Sequence, residues 1–310
     1  MKVLVTGAGG FVGRHLVQAM AGRFGIVAVD ADLSALSPGP TLRLCEGNLT
    51  DPALRRSALA DGIDGVVHLA AVPGGAAEAD PGLSRRVNID ATLDLLDDCA
   101  ATGTAPRVVF ASTIAVFGDT FAPGGVDDTT PVAPQLIYGA HKAMIEIAVA
   151  ALSRRGAIDG MSVRLPGIVA RPPGSVSLKS AFMSELFHAL RAGRRFTAPV
   201  SPSGTLWLMS VQRVAANLIH ALTLDAGAIP PSRTVTLPAQ RLTMAQLADA
   251  VTAWYGAAPG AVDYHPDAAL EAAFASQPPL ATPLAESIGF RHDGSTENLV
   301  ATTCNALAAL

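Results

Sequence analysis

Tyr138 and Lys142 stand four positions apart at the start of a helical stretch, so they share one helical face. A lysine ammonium there favours the phenolate over the phenol and lowers a pKa that is ~10 when unperturbed. A phenolate can act as a general base on a hydroxyl group. Ser112 and Thr113 end an apolar run that reads as a buried strand. Hydroxyls at the carboxyl edge of a parallel sheet can hold a ligand oxygen beside such a base. A Ser-Thr pair can also simply cap a strand or helix.

A second constellation lies at the start of the chain. Thr6-Gly7-Ala8-Gly9-Gly10-Phe11-Val12-Gly13 follows an apolar run and opens a helix. Gly7 permits a tight turn, Gly10 lets backbone N–H groups approach a pyrophosphate, and Gly13 lets the helix pack closely on the sheet. Asp30, at the end of the next apolar run, can bind both hydroxyls of an adenosine ribose and repels a 2′-phosphate. No Arg or Lys follows it in Ala31-Asp32-Leu33, which favours NAD over NADP. A solvated strand-end aspartate is the plainer role for Asp30.

The elements that must position these residues alternate. Strands are expected at Val3–Val5, Ile26–Val29, Val66–Leu69, Val108–Ala111 and Ser162–Leu165. Helices are expected at Gly13–Ala21, Ala53–Leu59, Leu83–Ala101 and Tyr138–Arg154. Short, continuously apolar strands between helices predict βαβ units and a buried parallel sheet. The fold class is therefore α/β, a Rossmann-type doubly wound parallel sheet with a smaller C-terminal substrate-binding region. The expected boundary lies at residue 165, giving a nucleotide-binding domain over 1–165 and a substrate-binding region over 166–310. The segment near 205–235 is a candidate to return to the first domain. Pro-rich turns punctuate the second half, with helices expected at Ser180–Ala192, Val211–Leu222, Thr243–Trp254 and near Leu299–Leu310.

Composition narrows the function classes. The chain has 310 residues, 50% hydrophobic and only 15% charged, where roughly 25% charged is typical. That allows a sizeable core and an apolar subunit interface. The formal net charge is -4 with no Lys/Arg cluster, which argues against nucleic acid as a ligand. Cys45, Cys99 and Cys304 follow no metal-ligand spacing, and the histidines show none either, so no metal is expected. No secretory signal or run of ~18 apolar residues is visible. The expected setting is the cytoplasm.

Taken together, the Thr6–Gly13 loop, His68-Leu69-Ala70-Ala71, Asn88, the hydroxyl strand ending in Val116-Phe117-Gly118 and Tyr138-x-x-x-Lys142 resemble the extended short-chain dehydrogenase/reductase family, also called the NAD-dependent epimerase/dehydratase family. The likeness covers nearly the whole chain. It implies Thr113, Tyr138 and Lys142 as catalytic residues, with Ser112 as a helper and Lys142 also binding the nicotinamide ribose. It implies that Leu69, Ala70 and Ala71 line the cofactor together with Gly7, Gly10, Phe11, Val12 and Gly13, and that Asn88 is structural or lies near the cofactor. Gly47-Asn48-Leu49 stands where the family has G-D-L, and the Asn48 amide oxygen can still accept from an adenine amine. Asn88-Ile89-Asp90-Ala91-Thr92 stands where the family has N-x-x-G-T.

Ile114 and Ala115 replace the Asp-Glu pair that the dehydratases of the family need, and neither can transfer a proton. Arg164-Leu165-Pro166-Gly167 lacks the asparagine with which its nucleotide-sugar epimerases hold their substrate. Within the family the chain is most similar to the D-erythronate dehydrogenases as a group, through Ala77-Glu78-Ala79, Val169-Ala170-Arg171-Pro172, Ser180-Ala181-Phe182 and Trp207-Leu208-Met209-Ser210. It departs from that group at Pro73 (usually Ser), Leu136-Ile137 (Thr-Ser), Gly167 (Thr) and His188 (Arg). Such polar swaps can change substrate identity.

The resemblance implies NAD-dependent oxidation of a secondary hydroxyl on a small sugar acid. An epimerase that returns the hydride, or a non-catalytic NAD sensor, are the alternatives. Arg171 is a candidate for the substrate carboxylate, because a guanidinium fork matches carboxylate geometry; bracing the Pro-rich loop is its equally weighted alternative. Pro73 and Trp207 are further substrate-side candidates, Trp207 with core packing beside Leu208 and Met209 as the plainer role. Arg164 reads as structural, His68 as a strand-end core residue and His141 as helix surface. Ala140, Met144, Ile147, Ala148 and Ala151 spread apolar surface around the Tyr138–Arg154 helix. A homodimer through this helix and Leu83–Ala101 would bury it, as would internal packing against the second half.

Overall fold

The short β-branched runs of the first half become strands because each is bonded on both sides and buried on both faces. In the computed structural model, which describes residues 1–60, 62–118, 121, 124–174 and 180–308, seven strands form one parallel sheet. The chain runs β1 (Lys2–Thr6), α1 (Phe11–Met20), β2 (Gly25–Asp30), β3 (Leu42–Glu46), α2 (Pro52–Leu59), β4 (Gly65–His68), α3 (Gly74–Ala79) and α4 (Pro81–Ser84). A π-helical turn (Arg85–Asp90) leads into α5 (Ala91–Ala101), followed by β5 (Arg107–Thr113), a 3-10 turn (Ile114–Phe117), α6 (Ile137–Arg154) and β6 (Asp159–Leu165). The remainder is β7 (Gly167–Val169), α7 (Phe182–Arg191), β8 (Phe196–Ala198), β9 (Thr205–Ser210), α8 (Val211–Thr223), β10 (Thr234–Thr236) and β11 (Gln240–Thr243). It ends with α9 (Met244–Tyr255), β12 (Val262–Tyr264), α10 (Ala268–Phe274), α11 (Pro283–Ser287) and α12 (Thr296–Ala308).

The sheet order is β10-β6-β5-β4-β1-β2-β3. The order in which strands are added reverses between β1 and β4, and the crevice outside the carboxyl ends of those two strands is where such sheets bind ligands. One face of the sheet packs on α1 and α8 through Leu16, Met20, Val214 and Leu218. The other packs on α2, α5 and α6 through Leu59, Leu95, Ile145 and Val149. A separate core joins α7, α9 and α12 to the three-stranded sheet β11-β9-β7. Thus α8 follows β9 back onto the main sheet, and β10 extends that sheet beside β6.

Several elements differ from the sequence expectation. The single helix expected over Leu83–Ala101 is interrupted by the π turn, whose wider loop holds Asn88 buried. β3 has no counterpart in the expected strands; it is an edge strand whose half-buried Arg43 breaks the apolar run. β7 to β12 are three to six residues long, too short for periodicity to separate them from loops. His141 is half-buried, not a surface group, and its Nδ1 is bonded to Ser84 Oγ at 2.9 Å. The three cysteines are free and buried. Among the described residues no helix is long and apolar enough to cross a membrane, and no cluster of potential metal ligands occurs.

Candidate active site

Gly7 takes the left-handed conformation at φ +71°, which only glycine adopts without strain. A Cβ at Gly7 would lie 2.6 Å from the Ala70 nitrogen, and one at Gly13 would lie 2.1 Å from the Gly7 carbonyl oxygen. The loop after β1 is therefore folded against both the loop after β4 and the first turn of α1. α1 begins at Gly10 with no side-chain cap, which leaves its first N–H groups and its positive dipole end available to an anion. Asp30 ends β2 and accepts the Gly9 N–H at 2.9 Å and the Ala31 N–H at 2.7 Å. Its remaining lone pairs are available to ribose hydroxyls. These features fit the glycine cradle, helix end and acid that an adenine dinucleotide needs. Asn48 uses its Oδ1 to accept the Thr50 N–H at 3.0 Å, and Leu49 is buried, with its carbonyl accepting from Arg55.

A cavity of about 650 Å³ opens at the carboxyl ends of β1, β4 and β5. Gly7, Gly10, Phe11, Val12, Gly13, Leu69 and Ala71 line it together with Thr113, Tyr138 and Lys142, and with Pro73, Arg171 and Trp207. The structure therefore gathers residues from both halves of the sequence around one space. Asp30, Asn48, Leu49, Ala70 and Asn88 lie outside that lining. Asn88 clamps the loop after β4: its Oδ1 accepts the Val72 N–H at 2.7 Å and its Nδ2 donates to the Val72 carbonyl at 2.9 Å.

Thr113 and Ser112 do different things. Thr113 Oγ1 accepts the Ala115 N–H at 3.2 Å, so its own hydrogen is free to point into the cavity. Ser112 is buried, and its hydroxyl donates to Glu146 Oε1 at 2.5 Å. As a result the Ser112 proton is directed to Glu146 and not into the cavity. Glu146 is also gripped by Arg164, Nε to Oε1 at 2.9 Å and Nη2 to Oε2 at 2.7 Å. Arg164 is structural in this sense: its guanidinium fixes a carboxylate and packs over Phe117.

Lys142 is buried; its Nζ donates to the Ala111 carbonyl at 2.7 Å and sits 4.6 Å from the centre of the Phe110 ring. Burial pulls its pKa down to about 7, with the Glu146 carboxylate opposing the drop. Tyr138 is half-buried, and burial raises its pKa above the usual phenol value. This corrects the sequence expectation of a tyrosine held low by Lys142. In the structure the charge that opposes the rise is Arg171, not Lys142, whose Nζ lies 5.7 Å from the centre of the Tyr138 ring and is directed to Ala111.

Other contributors carried weak sequence signals. Gly139 has no side chain to obstruct the first turn of α6: a Cβ there would lie 2.4 Å from the Ala115 oxygen. That close approach brings Tyr138 beside the Thr113 turn. Glu146 follows Lys142 by one helical turn, a spacing that could have marked it. Glu78 accepts the Ile137 N–H at 2.7 Å and so caps α6 from α3, a pairing between residues 59 positions apart that no local pattern reveals. Trp207 is buried, its Nε1 donating to the Pro278 carbonyl at 2.8 Å; it forms a wall of the cavity while packing in the core.

Comparison with known proteins agrees with this geometry. Residues 3–207 match the model of the NAD dependent epimerase/dehydratase family. A D-erythronate dehydrogenase of Cupriavidus necator is 36% identical over 81% of this chain and 81% of its own length. A D-erythronate dehydrogenase of Haemophilus influenzae is 32% identical over 97% of this chain and 98% of its own. The solved nucleoside-diphosphate-sugar epimerase of Agrobacterium tumefaciens superposes with a TM-score of 0.88 at 28% identity, over 97% of this chain and 92% of that one. The chain belongs to the NAD-dependent epimerase/dehydratase family.

Proposed function

We propose that this protein is an NAD-dependent dehydrogenase that oxidises a secondary hydroxyl of a small sugar acid of the D-erythronate class. The observation that carries the reading is that Thr113, Tyr138 and Arg171 line one cavity together with the glycine loop. Two relatives matched over most of their length are D-erythronate dehydrogenases, which supports the substrate class.

In this reading Tyr138 acts as its phenolate, having first released its own proton to solvent, and Oη takes the proton of the substrate hydroxyl while Thr113 donates to the same oxygen as negative charge develops on it. Lys142, with its Nζ 5.7 Å from the centre of the Tyr138 ring, would reach the nicotinamide ribose. Arg171 binds the carboxylate and, through its charge beside Tyr138, favours the phenolate. Bound NAD supplies the hydride acceptor. Gly7, Gly10 and Gly13 with the start of α1 would hold its pyrophosphate, and Asp30 its adenosine ribose. Asn48 and Leu49 would border the adenine, and Leu69 to Ala71 would border the ring system. Met144 and Ile147 are 54% and 67% exposed on α6, and Leu93 is also exposed on α5. Internal packing does not cover them; a homodimer through α5 and α6 would.

The test is NADH formation at 340 nm with NAD and a panel of four- to six-carbon aldonic and uronic acids including D-erythronate. Turnover on one acid is the expected result. Isomer formation without net NADH would instead establish an epimerase, and NAD binding with no reaction on any acid or sugar would establish a sensor.

A further inference from the structure

We propose that Ser184 and His188, one turn apart on α7, are positioning residues that clamp the Arg171 peptide and aim its guanidinium at the carboxylate of the substrate. The proposal rests on the sugar-acid reading above and adds to it how the anchor is held.

Arg171 follows β7 in a loop, where no sheet or helix bond fixes its backbone. Two side chains do so instead. The Arg171 N–H donates to Ser184 Oγ at 2.9 Å, and the Arg171 carbonyl oxygen accepts from His188 Nε2 at 2.6 Å. A carbonyl can only accept, so His188 carries its hydrogen on Nε2. Ser184 and His188 lie on the same helical face, and α7 is anchored by Leu186, Phe187 and Leu190 in the second core. Both backbone polar groups of one residue are thus tied to one rigid element.

The guanidinium beyond that peptide has no hydrogen bond or ion pair among the described residues, although it is half-buried against the cavity. Burial lowers its pKa, and the group that opposes this is Tyr138, a neutral phenol in the resting protein. A partly desolvated cation without a counter-ion is unfavourable, and a bound carboxylate removes that cost. An arginine side chain has several free torsions, so its binding strength depends on how much of its motion is removed beforehand. The clamp removes the backbone part of that motion.

The test is calorimetric binding of D-erythronate and of its uncharged counterpart erythritol to the NADH-loaded protein. Thermal melts would confirm that each variant is folded. Wild type is expected to prefer the acid. Arg171→Ala should weaken the acid about 100-fold and His188→Ala about tenfold, the factors expected for losing a charged bond and a positioning bond. Erythritol binding should be unchanged in His188→Ala. His188→Gln, whose amide can still donate to the Arg171 carbonyl, should restore most of the loss. Ser184→Ala should behave like His188→Ala.

If Arg171→Ala loses the preference for the acid but His188→Ala keeps it, or loses acid and polyol equally, the clamp is refuted and the carboxylate anchor stands. Failure of His188→Gln to restore acid binding would also refute the clamp. If wild type shows no preference for the acid, or Arg171→Ala keeps it, the anchor is refuted and the clamp with it.

Discussion

Tyr138 is pulled in two directions: burial favours the phenol, and the Arg171 charge favours the phenolate. The Tyr138–Lys142 spacing was legible in the sequence because both lie on one helix. The influence of Arg171 was not, because it reaches Tyr138 across 33 positions of chain. The same limit hid the partner of Ser112. Two adjacent hydroxyls look equivalent as letters, but Glu146 takes the proton of one and leaves the other free. Thr113→Val should therefore lower kcat by about 100-fold, as loss of a donor to a developing oxyanion does. Ser112→Ala should act mainly on stability, by about 1–2 kcal/mol, since Glu146 loses a partner. Steady-state kinetics with urea unfolding on both variants would separate the two. Equal losses of kcat with no loss of stability would contradict the assignment.

His68 makes a second residue-scale prediction. Its ring nitrogens are bonded to Thr6 Oγ1 at 2.6 Å and Thr92 Oγ1 at 3.0 Å, and burial pulls its pKa down to about 3. Between the ordinary value of 6.5 and about 3, the unfolded chain takes up a proton at this residue and the folded one does not. Stability is therefore lost as pH falls through that window, by an amount on the order of a few kcal/mol. Urea unfolding at pH 7 and pH 4 should show a smaller drop in His68→Asn than in wild type; equal drops would show that His68 contributes nothing to the acid sensitivity.

At the scale of elements, the first half of the chain is readable because buried parallel strands are continuous apolar runs and glycine-rich loops punctuate them. β1, β2, β4, β5 and β6 fall on the expected segments with no end moved by more than three residues. What escaped were elements whose identity depends on neighbours: the edge strand β3, the short strands of the second half, and the π turn that holds Asn88 buried. The approach of α6 to the Thr113 turn is likewise a property of packing, visible in the sequence only as Gly139. Gly139→Ala would place a Cβ 2.4 Å from the Ala115 oxygen, so α6 must shift away. Because reacting groups displaced by about 1 Å can lose about 100-fold in rate, kcat should fall to that degree, while NAD binding, which beside Lys142 uses the glycine loop and Asp30, should weaken far less. Unchanged kcat would show that the close approach is not needed.

For the molecule as a whole, the low charge content of the sequence pointed to an apolar subunit interface. Met144 and Ile147 on α6 and Leu93 on α5 are among the exposed large apolar residues and could contribute to it. In a dimer through these helices, Ile147→Lys would bury a charge without a partner, which is strongly unfavourable. Light scattering coupled to size exclusion should give a dimer mass for the natural protein and a monomer mass for Ile147→Lys. A natural protein that runs as a monomer would contradict the expectation. The joining of cofactor loop and substrate wall into one cavity is also a whole-molecule property, since Arg171 and Trp207 come from segments read separately in the sequence.

The central claim is that Tyr138 is the base that releases the substrate hydroxyl proton. The most direct measurement is NADH formation from D-erythronate by Tyr138→Phe beside wild type, with NAD binding to both proteins measured separately by calorimetry. Wild-type turnover, a loss of at least about 1,000-fold in the variant and equal NAD binding are expected if Tyr138 is the base. Wild-type turnover matched by full activity in Tyr138→Phe would contradict that role.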